Sequence, residues 1–197
     1  MPRVVNREAR RAELISAAAT VFAQRGVAKT TVSDIVKAAG VAQGTFYLYF
    51  ESKDDVILGV VERLGEAMID DAAARVGAGH SAVEKMHILA GTLSSAAARH
   101  DTAELVQLMH RPENRVLHDR LAEDLIPRFM PLVQSIIERG VEEGVFRVSD
   151  ARAAAWFVLG GLHSIELAGT AAADMPTALA SAVELTLRAL GCRGQKP

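Results

Sequence analysis

The chain has 197 residues, of which half are hydrophobic and only 5% are aromatic, a composition that favours packed helices over β-sheet. Its net charge of −2 is uneven, because residues 1–50 carry seven Lys/Arg against three Asp/Glu (+4) and the remainder carries 15 against 21 (−6). The single cysteine, Cys192, excludes an intrachain disulfide and a cysteine zinc cluster, and the longest apolar run, Ala153 to Leu162, is too short for a bilayer. With a charged N-terminus that lacks the apolar core of a signal peptide, we expect a cytoplasmic protein.

The first predicted helix spans Arg7 to Arg25 and ends at Gly26. Arginines are concentrated before and within its first turns, at Arg3, Arg7, Arg10 and Arg11. They suit either an arm against phosphates or a solvated segment, and the sequence leaves both open. A cationic head on an anionic body is the charge asymmetry that attraction to nucleic-acid phosphates requires.

Residues 30–53 predict two short helices joined by a tight turn. Thr31 and Asp34 form a capping box, and an apolar stripe follows at Val32, Ile35, Val36 and Ala39. Gly40 stands where the chain reverses. After it, Phe46 and Phe50 can point inward while polar side chains point outward. This is the layout of a helix-turn-helix, whose second helix enters the DNA major groove.

The motifs here resemble the DNA-binding domain of the TetR family of transcriptional regulators. They are the Thr-Thr pair, Asp-Ile-Val-x-x-Ala-Gly-Val, Gly-Thr-Phe-Tyr-x-Tyr-Phe and Ser-Lys-Asp-Asp. The resemblance covers roughly residues 7–60, with Val36 a small departure where alanine is frequent. It implies a DNA-binding domain over 1–52 and an effector-binding and dimerisation domain over 53–197. It also implies a homodimer, most often a repressor, that binds a palindromic operator and leaves it when a small apolar effector binds.

The predicted DNA contacts combine base-reading and phosphate-binding groups. Gln43 can pair with adenine, and Thr45 can donate, accept or touch a thymine methyl. Gly44 lets the backbone approach the duplex. The resemblance implies DNA contact for these three residues and for Tyr47, Tyr49 and Lys53. The remaining predicted contacts are to the sugar-phosphate backbone: Thr30, Thr31, Ser33, Tyr47, Tyr49 and Lys53. For each tyrosine the alternative is an ordinary core position, and for Gln43 it is a solvated side chain.

The rest of the chain predicts further helices, for an all-α fold of nine or ten in total. Ser52 caps a fourth helix that ends near Gly77 and joins the DNA-binding domain to the rest of the chain, and Ser81 caps a fifth. A sixth begins at Asp101, and a seventh over Val116 to Glu143 either bends at its prolines or divides in two. Asp150 and Pro176 begin the last two helices, the second of which ends at Gly191.

These last two helices are the most apolar part of the chain, which predicts dimerisation. The resemblance implies that they pair with those of a second chain in a four-helix bundle. The predicted dimer contacts are Trp156, Phe157, Gly160, Gly161, Ile165, Leu179, Val183 and Leu187. The alternative is that the same residues form a monomer core.

A ligand pocket is expected in the body, where apolar side chains mix with a few polar groups. The candidate lining residues are Met86, His87, Leu89, Leu93, Gln107, Met109, His110, Phe129 and Trp156. Taken one at a time, the Met and aromatic positions are more typical of an ordinary core than of a pocket. Nothing in the sequence identifies the ligand.

Catalytic motifs are absent from the sequence, which predicts that the protein is not an enzyme. There is no Gly-rich phosphate loop, zinc-protease helix or nucleophile elbow. A metal- or cofactor-binding helical bundle is the competing class, since Glu84-x-x-His87 has the spacing of a di-iron motif. One such pair is insufficient, and His110 and His163 have the order reversed, so neither a cofactor nor a metal ligand set is predicted.

Overall fold

The computed structural model describes residues 6–97, 105, 108, 114–167 and 174–192. Over these residues the chain contains helices, turns and bends but no strand, so the predicted all-α class is confirmed. Eight helices have defined bounds: α1 Arg7–Arg25, α2 Val32–Ala39, α3 Gln43–Phe46, α4 Lys53–Gly77, α5 Ala82–Ala97, α6 Arg115–Glu142, α7 Ala151–Leu167 and α8 Met175–Ala189. The helix predicted from Asp101 falls mostly outside the described residues, apart from Leu105 and Leu108, which are both helical.

The first three helices and the start of α4 form the N-terminal part of the molecule, which we call the head. They enclose a hydrophobic core, the head core. The predicted capping box is present, with the Thr31 hydroxyl accepting from the Asp34 amide and the Asp34 carboxylate accepting from the Thr31 amide. Gly40 ends α2 in the left-handed conformation, at φ 65°, which glycine adopts without Cβ strain. The turn thus brings α3 back against the core instead of extending α2.

Helix α4 connects the two hydrophobic cores of the molecule. The Ser52 hydroxyl accepts from the Asp55 amide at its start, as the sequence predicts. Val56, Ile57 and Val60 then pack into the head core. Ala72 and Val76 pack into a second hydrophobic core, the body core, which the second half of α4 forms with the helices that follow it. One continuous helix therefore contributes side chains to both cores.

Helix α6 is a single helix of 28 residues that contains both Pro127 and Pro131. The predicted alternative of a division into two helices is therefore wrong. Its buried face supplies much of the body core, including Val133, Ile136 and Ile137. This burial offsets the roughly 3 kcal/mol that an interior proline costs a helix. The predicted starts of the last two helices are also observed, with Asp150 accepting from the Ala153 amide and Pro176 in the first turn of α8.

The C-terminal end of α6 is closed by a turn built around Gly140. The Val145 and Phe146 amides both donate to the Gly140 carbonyl, each at 2.9 Å. This folds the Phe146 ring back over the helix, and a Cβ placed on Gly140 would lie only 2.0 Å from the ring carbon Cδ2. The site therefore requires a residue without a side chain.

We expect Gly140→Ala to destabilise the protein by about 1–3 kcal/mol, because the ring must move out of the core to admit the methyl group. Gly91→Ala is the matched control, since it lies mid-helix in α5 with no atom within 4 Å of the added Cβ. It should be neutral or stabilise by up to about 1 kcal/mol. Urea unfolding followed by circular dichroism measures both, and equal free energies of unfolding for the two variants would contradict this role of Gly140.

Candidate nucleic-acid interface

The position of α3 is set by two buried aromatic side chains. This helix has only four residues, Gln43–Phe46, and a turn over residues 47–49 follows it. Phe46 is 0% exposed and Phe50 is 1% exposed, with their ring centroids 5.4 Å apart. The Arg11 guanidinium lies over the Phe50 ring, 5.2 Å from its centroid, and ties α1 to the same anchor. The predicted inward orientation of both phenylalanines is confirmed.

The opposite side of this segment faces solvent with mixed hydrogen-bonding and apolar groups. Gln43 and Gly44 are exposed, and nothing lies within 4 Å of a Cβ built on Gly44. Tyr47 is 55% exposed and meets Phe46 edge to face, with centroids 5.4 Å apart. Thr45 is half-buried at the rim. Tyr47 therefore has a ring that packs on Phe46 and more than half of its surface open to solvent, which leaves it accessible to a ligand.

Two residues of this segment differ from the predicted pattern. Tyr49 is half-buried and packs against the head core, so only part of its surface can reach a ligand. Leu48 was not predicted as a contact, yet it is 68% exposed between the two tyrosines. An exposed leucine at this position can touch sugars or a thymine methyl. Its signal in the sequence was its place between two residues predicted to face DNA.

The start of α2 adds polar groups beside α3. Thr31 and Ser33 are both exposed, and the Thr31 hydroxyl also donates to Asp34 at 2.7 Å. The hydrogen bonds from the Thr31 hydroxyl and amide, with Arg25 nearby, hold the pKa of Asp34 below its usual value. Asp34 is thus kept ionised, and its bond to Arg25, 2.9 Å, ties α1 to α2.

Thr30 requires a correction. It is only 2% exposed, and its hydroxyl donates to the Gly26 carbonyl at 2.7 Å, with its amide bonded to the Val27 carbonyl. Both polar groups are therefore used to close the connection between α1 and α2. The prediction that Thr30 contacts the sugar-phosphate backbone is wrong for its side chain, because an intrachain partner and burial remove that side chain from the surface.

Lys53 has an intramolecular partner in addition to its predicted role. Its ammonium donates to the Val27 carbonyl at 2.5 Å, which pins the start of α4 to the loop before α2. An ammonium has three N–H donors, so one such bond leaves others for a phosphate. Lys29 and Lys37 are exposed, and neither forms an ion pair with the part of the chain that is described. They extend the cationic surface beyond the predicted set.

Two of the N-terminal arginines, Arg10 and Arg11, form ion pairs within the chain. Arg3 lies outside the described residues. Arg10 pairs with Glu13 at 2.6 Å, and Arg11 pairs loosely with Glu62 at 3.9 Å. Since exposed pairs of this kind contribute little, both guanidinium groups remain able to exchange partners.

Two cavities lie among the described residues of the body, and the predicted ligand residues do not all gather in either of them. The larger, of about 460 Å³, lies between α6 and α7 and is lined by Asp119, Ala122, Glu123, Ile126, Pro127, Trp156 and His163. Of the predicted residues it includes only Trp156. The smaller, of about 20 Å³, includes Met86, Leu89 and Leu93 among its lining residues.

The other predicted ligand residues lie elsewhere. Phe129 is buried in the body core, and His87 is exposed, with its Nδ1 atom 2.8 Å from the Val83 carbonyl. Gln107, Met109 and His110 fall outside the described residues. The residues other than Trp156 that line the larger cavity were missed because they come together only when α6 packs on α7.

The predicted dimer surface is exposed on α7 but not on α8. Phe157 is 68% exposed and Trp156 47%, with Gly160 and Gly161 open beside them and Ile165 half-buried. Leu179 and Val183 are buried within the monomer and Leu187 is half-buried, so for the first two the prediction is wrong. A large apolar side chain that α8 does expose is Leu185. In a helix apolar on several faces, the sequence does not reveal which face meets the chain's own core.

No helix over the described residues is both long enough and apolar enough to cross a membrane.

Comparison with known proteins supports the resemblance found in the sequence. Residues 14–60 match a family described as bacterial regulatory proteins, tetR family, and residues 98–164 match the tetracyclin repressor-like C-terminal domain. The chain is 30% identical over 154 residues to the fatty acid metabolism regulator protein of Bacillus subtilis, covering 75% of this chain and 77% of that protein. It is 32% identical over 145 residues to the HTH-type transcriptional repressor KstR2 of Rhodococcus jostii, covering 70% and 68%.

Similarity extends to solved structures. The crystal structure of the transcriptional regulator FadR from Bacillus subtilis in complex with stearoyl-CoA superposes with a TM-score of 0.62 at 26% identity, covering 89% of this chain and 97% of that one. Head, connecting helix and body thus follow an arrangement already seen in a regulator.

We expect Tyr47→Ala to lower DNA affinity at least tenfold, or about 1.4 kcal/mol, because it removes an outward aromatic hydroxyl. Its free energy of unfolding should stay within about 0.5 kcal/mol of wild type. Tyr49→Ala is the comparison variant, since Tyr49 packs on the core and its loss should reduce stability as well. Electrophoretic mobility shifts and urea unfolding measure the two quantities. Unchanged DNA affinity in Tyr47→Ala, or a stability loss matching that of Tyr49→Ala, would contradict the assignment.

Proposed function

Because this chain belongs to the tetR family of bacterial regulatory proteins, a family of DNA-binding transcriptional regulators, we propose that it represses transcription as a homodimer on a palindromic operator. The members of this family are regulators rather than enzymes. Family membership also favours this function over a metal- or cofactor-binding bundle. The repressor assignment is supported by the relative from Rhodococcus jostii, which is a transcriptional repressor.

The observation that carries the proposal is the outward face over the two buried phenylalanines. Gln43, Gly44 and Tyr47 are exposed on a segment whose other side is fixed in the core. A side-chain amide can pair with an adenine edge, and hydroxyls and cations beside it can bind phosphates. Lys29, Lys37 and Thr31 surround this face with groups suited to the DNA backbone. We assign base reading to Gln43 and Thr45.

A dimer is supported by the apolar stripe on α7. Trp156 and Phe157 are large, apolar and open to solvent, next to two glycines with free space above them. Small residues beside large ones allow a second helix to approach closely, and burial of such a stripe stabilises association. A twofold dimer would present two copies of α3, which requires half-sites about 34–36 Å apart.

The larger cavity is our candidate for the effector site. A volume of about 460 Å³ falls in the range for small-molecule pockets, and Ala122, Ile126, Pro127 and Trp156 give it an apolar part beside its polar groups. Ile126 and Pro127 line it, and the neighbouring residues Leu125 and Arg128 contact α4. An apolar effector that shifts α6 would therefore press on α4. Among the relatives, stearoyl-CoA is the ligand of the Bacillus subtilis structure; an apolar molecule with an acyl character is a reasonable first class to test here.

The contact between α6 and α4 is tight enough to transmit such a shift. A Cβ on Gly65 would lie 2.6 Å from a methyl carbon of Leu125, so the two helices touch without a gap. Arg128 also pairs with Glu66 of α4. Burial raises the pKa of the neighbouring Glu62, which faces Arg11 of the head. A coupling free energy of about 1–3 kcal/mol is typical when one ligand displaces another through such an element.

Selection of bound sites from a random double-stranded DNA library tests this function. We expect a twofold-symmetric consensus with two half-sites and a steep fall of affinity with salt, as phosphate contacts require. Gln43→Ala should relax base preference at one position in each half-site, whereas Lys37→Ala should weaken binding to all sequences alike. Recovery of no enriched sequence, or of an asymmetric one, would contradict the proposal.

We expect Phe157→Glu to convert the dimer to monomer, because a buried carboxylate would face the apolar partner surface. Val116→Glu is the matched control, since Val116 is equally exposed but lies at the start of α6, away from the stripe. Sedimentation velocity measures the oligomeric state of both. A dimer that persists in Phe157→Glu would remove α7 from the interface.

A further inference from the structure

Three side chains of types that can bind a metal lie close together, and two of them, Asp119 and His163, line the larger cavity. His118 and Asp119 are adjacent on α6, and His163 reaches them from α7. Each contributes one ligand atom, and these three atoms all lie within 4.8 Å of one another. The two imidazole rings are nearly parallel, with centroids 5.2 Å apart and an angle of 23° between planes. Such proximity across two helices does not follow from any sequence motif.

From this cluster we propose that the protein binds one divalent transition-metal ion per chain through His118, Asp119 and His163. Two imidazoles and one carboxylate are a donor set suited to Zn²⁺ and its neighbours, and not to Mg²⁺ or Ca²⁺, which prefer oxygen alone. Zinc bonds of about 2.0–2.2 Å place tetrahedral ligand atoms roughly 3.3 Å apart. The donors therefore need to approach by no more than about 1.5 Å, which side-chain rotation can supply.

The surroundings of the cluster favour a cation. Asp119 and His163 both line the cavity, together with Glu123, one helical turn beyond Asp119. Two carboxylates in a cavity walled by Ile126, Pro127 and Trp156 gain from a positive charge between them. Arg115 also approaches Asp119, but its Nε atom is 3.9 Å from the carboxylate and the side chain is exposed, so it competes weakly with a bound cation.

Three protein ligands leave a coordination position open. His118 is buried, whereas Asp119 and His163 reach the cavity wall, so the open position faces the cavity. Water or the Glu123 carboxylate can fill it, as in zinc sites that keep one exchangeable ligand. The metal site does not depend on the DNA-binding function, since none of its three ligands lies on the α3 surface or on the exposed stripe of α7.

The test is calorimetric titration of tag-free, chelator-treated full-length protein with Zn²⁺, and separately with Mg²⁺. We expect one Zn²⁺ per chain and no measurable Mg²⁺ binding. His163→Gln and Asp119→Asn should each lower the affinity for Zn²⁺ at least tenfold. Even substitutions of residues that only support the metal ligands can cause a loss of this size. His87→Gln is the matched control, an exposed histidine on α5 outside the cluster, and should bind like wild type.

Circular dichroism and DNA binding accompany each variant, which separates the outcomes. His163→Gln that remains folded and binds DNA but loses Zn²⁺ supports the site. No Zn²⁺ binding by the wild type, or equal binding by wild type, His163→Gln and Asp119→Asn, overturns it and leaves the proposed regulation intact. Failure of every variant and the wild type to bind DNA would instead count against the proposed function alone.

Discussion

The burial of Phe46 and Phe50 is the interaction on which the rest of the structure depends. A helix of four residues has too few hydrogen bonds to offset the unfavourable free energy of helix nucleation, so helix propensity alone does not stabilise α3. Its conformation is held instead by two aromatic rings that are almost completely removed from water. Burying one such ring contributes on the order of 1.5–3 kcal/mol. That anchor fixes which side chains point outward, and so fixes Tyr47 and Gln43 as the exposed chemistry of the head.

The same head core reaches well beyond the helix-turn-helix. Val56, Ile57 and Val60 of α4 belong to it, and Leu105, from the segment between α5 and α6, is buried in it as well. The head is therefore held by the body through packing and not by a flexible linker. This is the physical basis for the proposed response to an effector, because a change at α6 meets α4 directly at Gly65 and Glu66. The domain boundary predicted at residue 52 remains a prediction, and the core of the head extends past it.

The features predictable from the sequence are those determined by neighbours along the chain. The bounds of α1, the capping box of Thr31 and Asp34, the left-handed Gly40 and the inward pair Phe46 and Phe50 each follow from spacing within about ten residues. Local hydrogen bonds and helical periodicity decide them, so a single sequence contains the necessary information.

The features that escaped prediction depend on contacts between distant segments. Thr30 was predicted to contact DNA from the surface, but its hydroxyl donates to the Gly26 carbonyl and the side chain is buried. Leu179 and Val183 lie on a helix with apolar residues on several faces, where periodicity does not select the buried side. His118 and His163 are 45 positions apart in the sequence and meet only because α6 packs on α7. No local pattern encodes such a meeting.

Hydroxyl-radical labelling read by mass spectrometry, with and without bound DNA, tests the central claim most directly. Tyr47 should be oxidised readily in the free protein and strongly protected when DNA is bound, while the exposed Val116 of the body keeps its rate. An unchanged rate at Tyr47 under conditions where DNA is fully bound would show that the outward face of α3 is not where the nucleic acid lies.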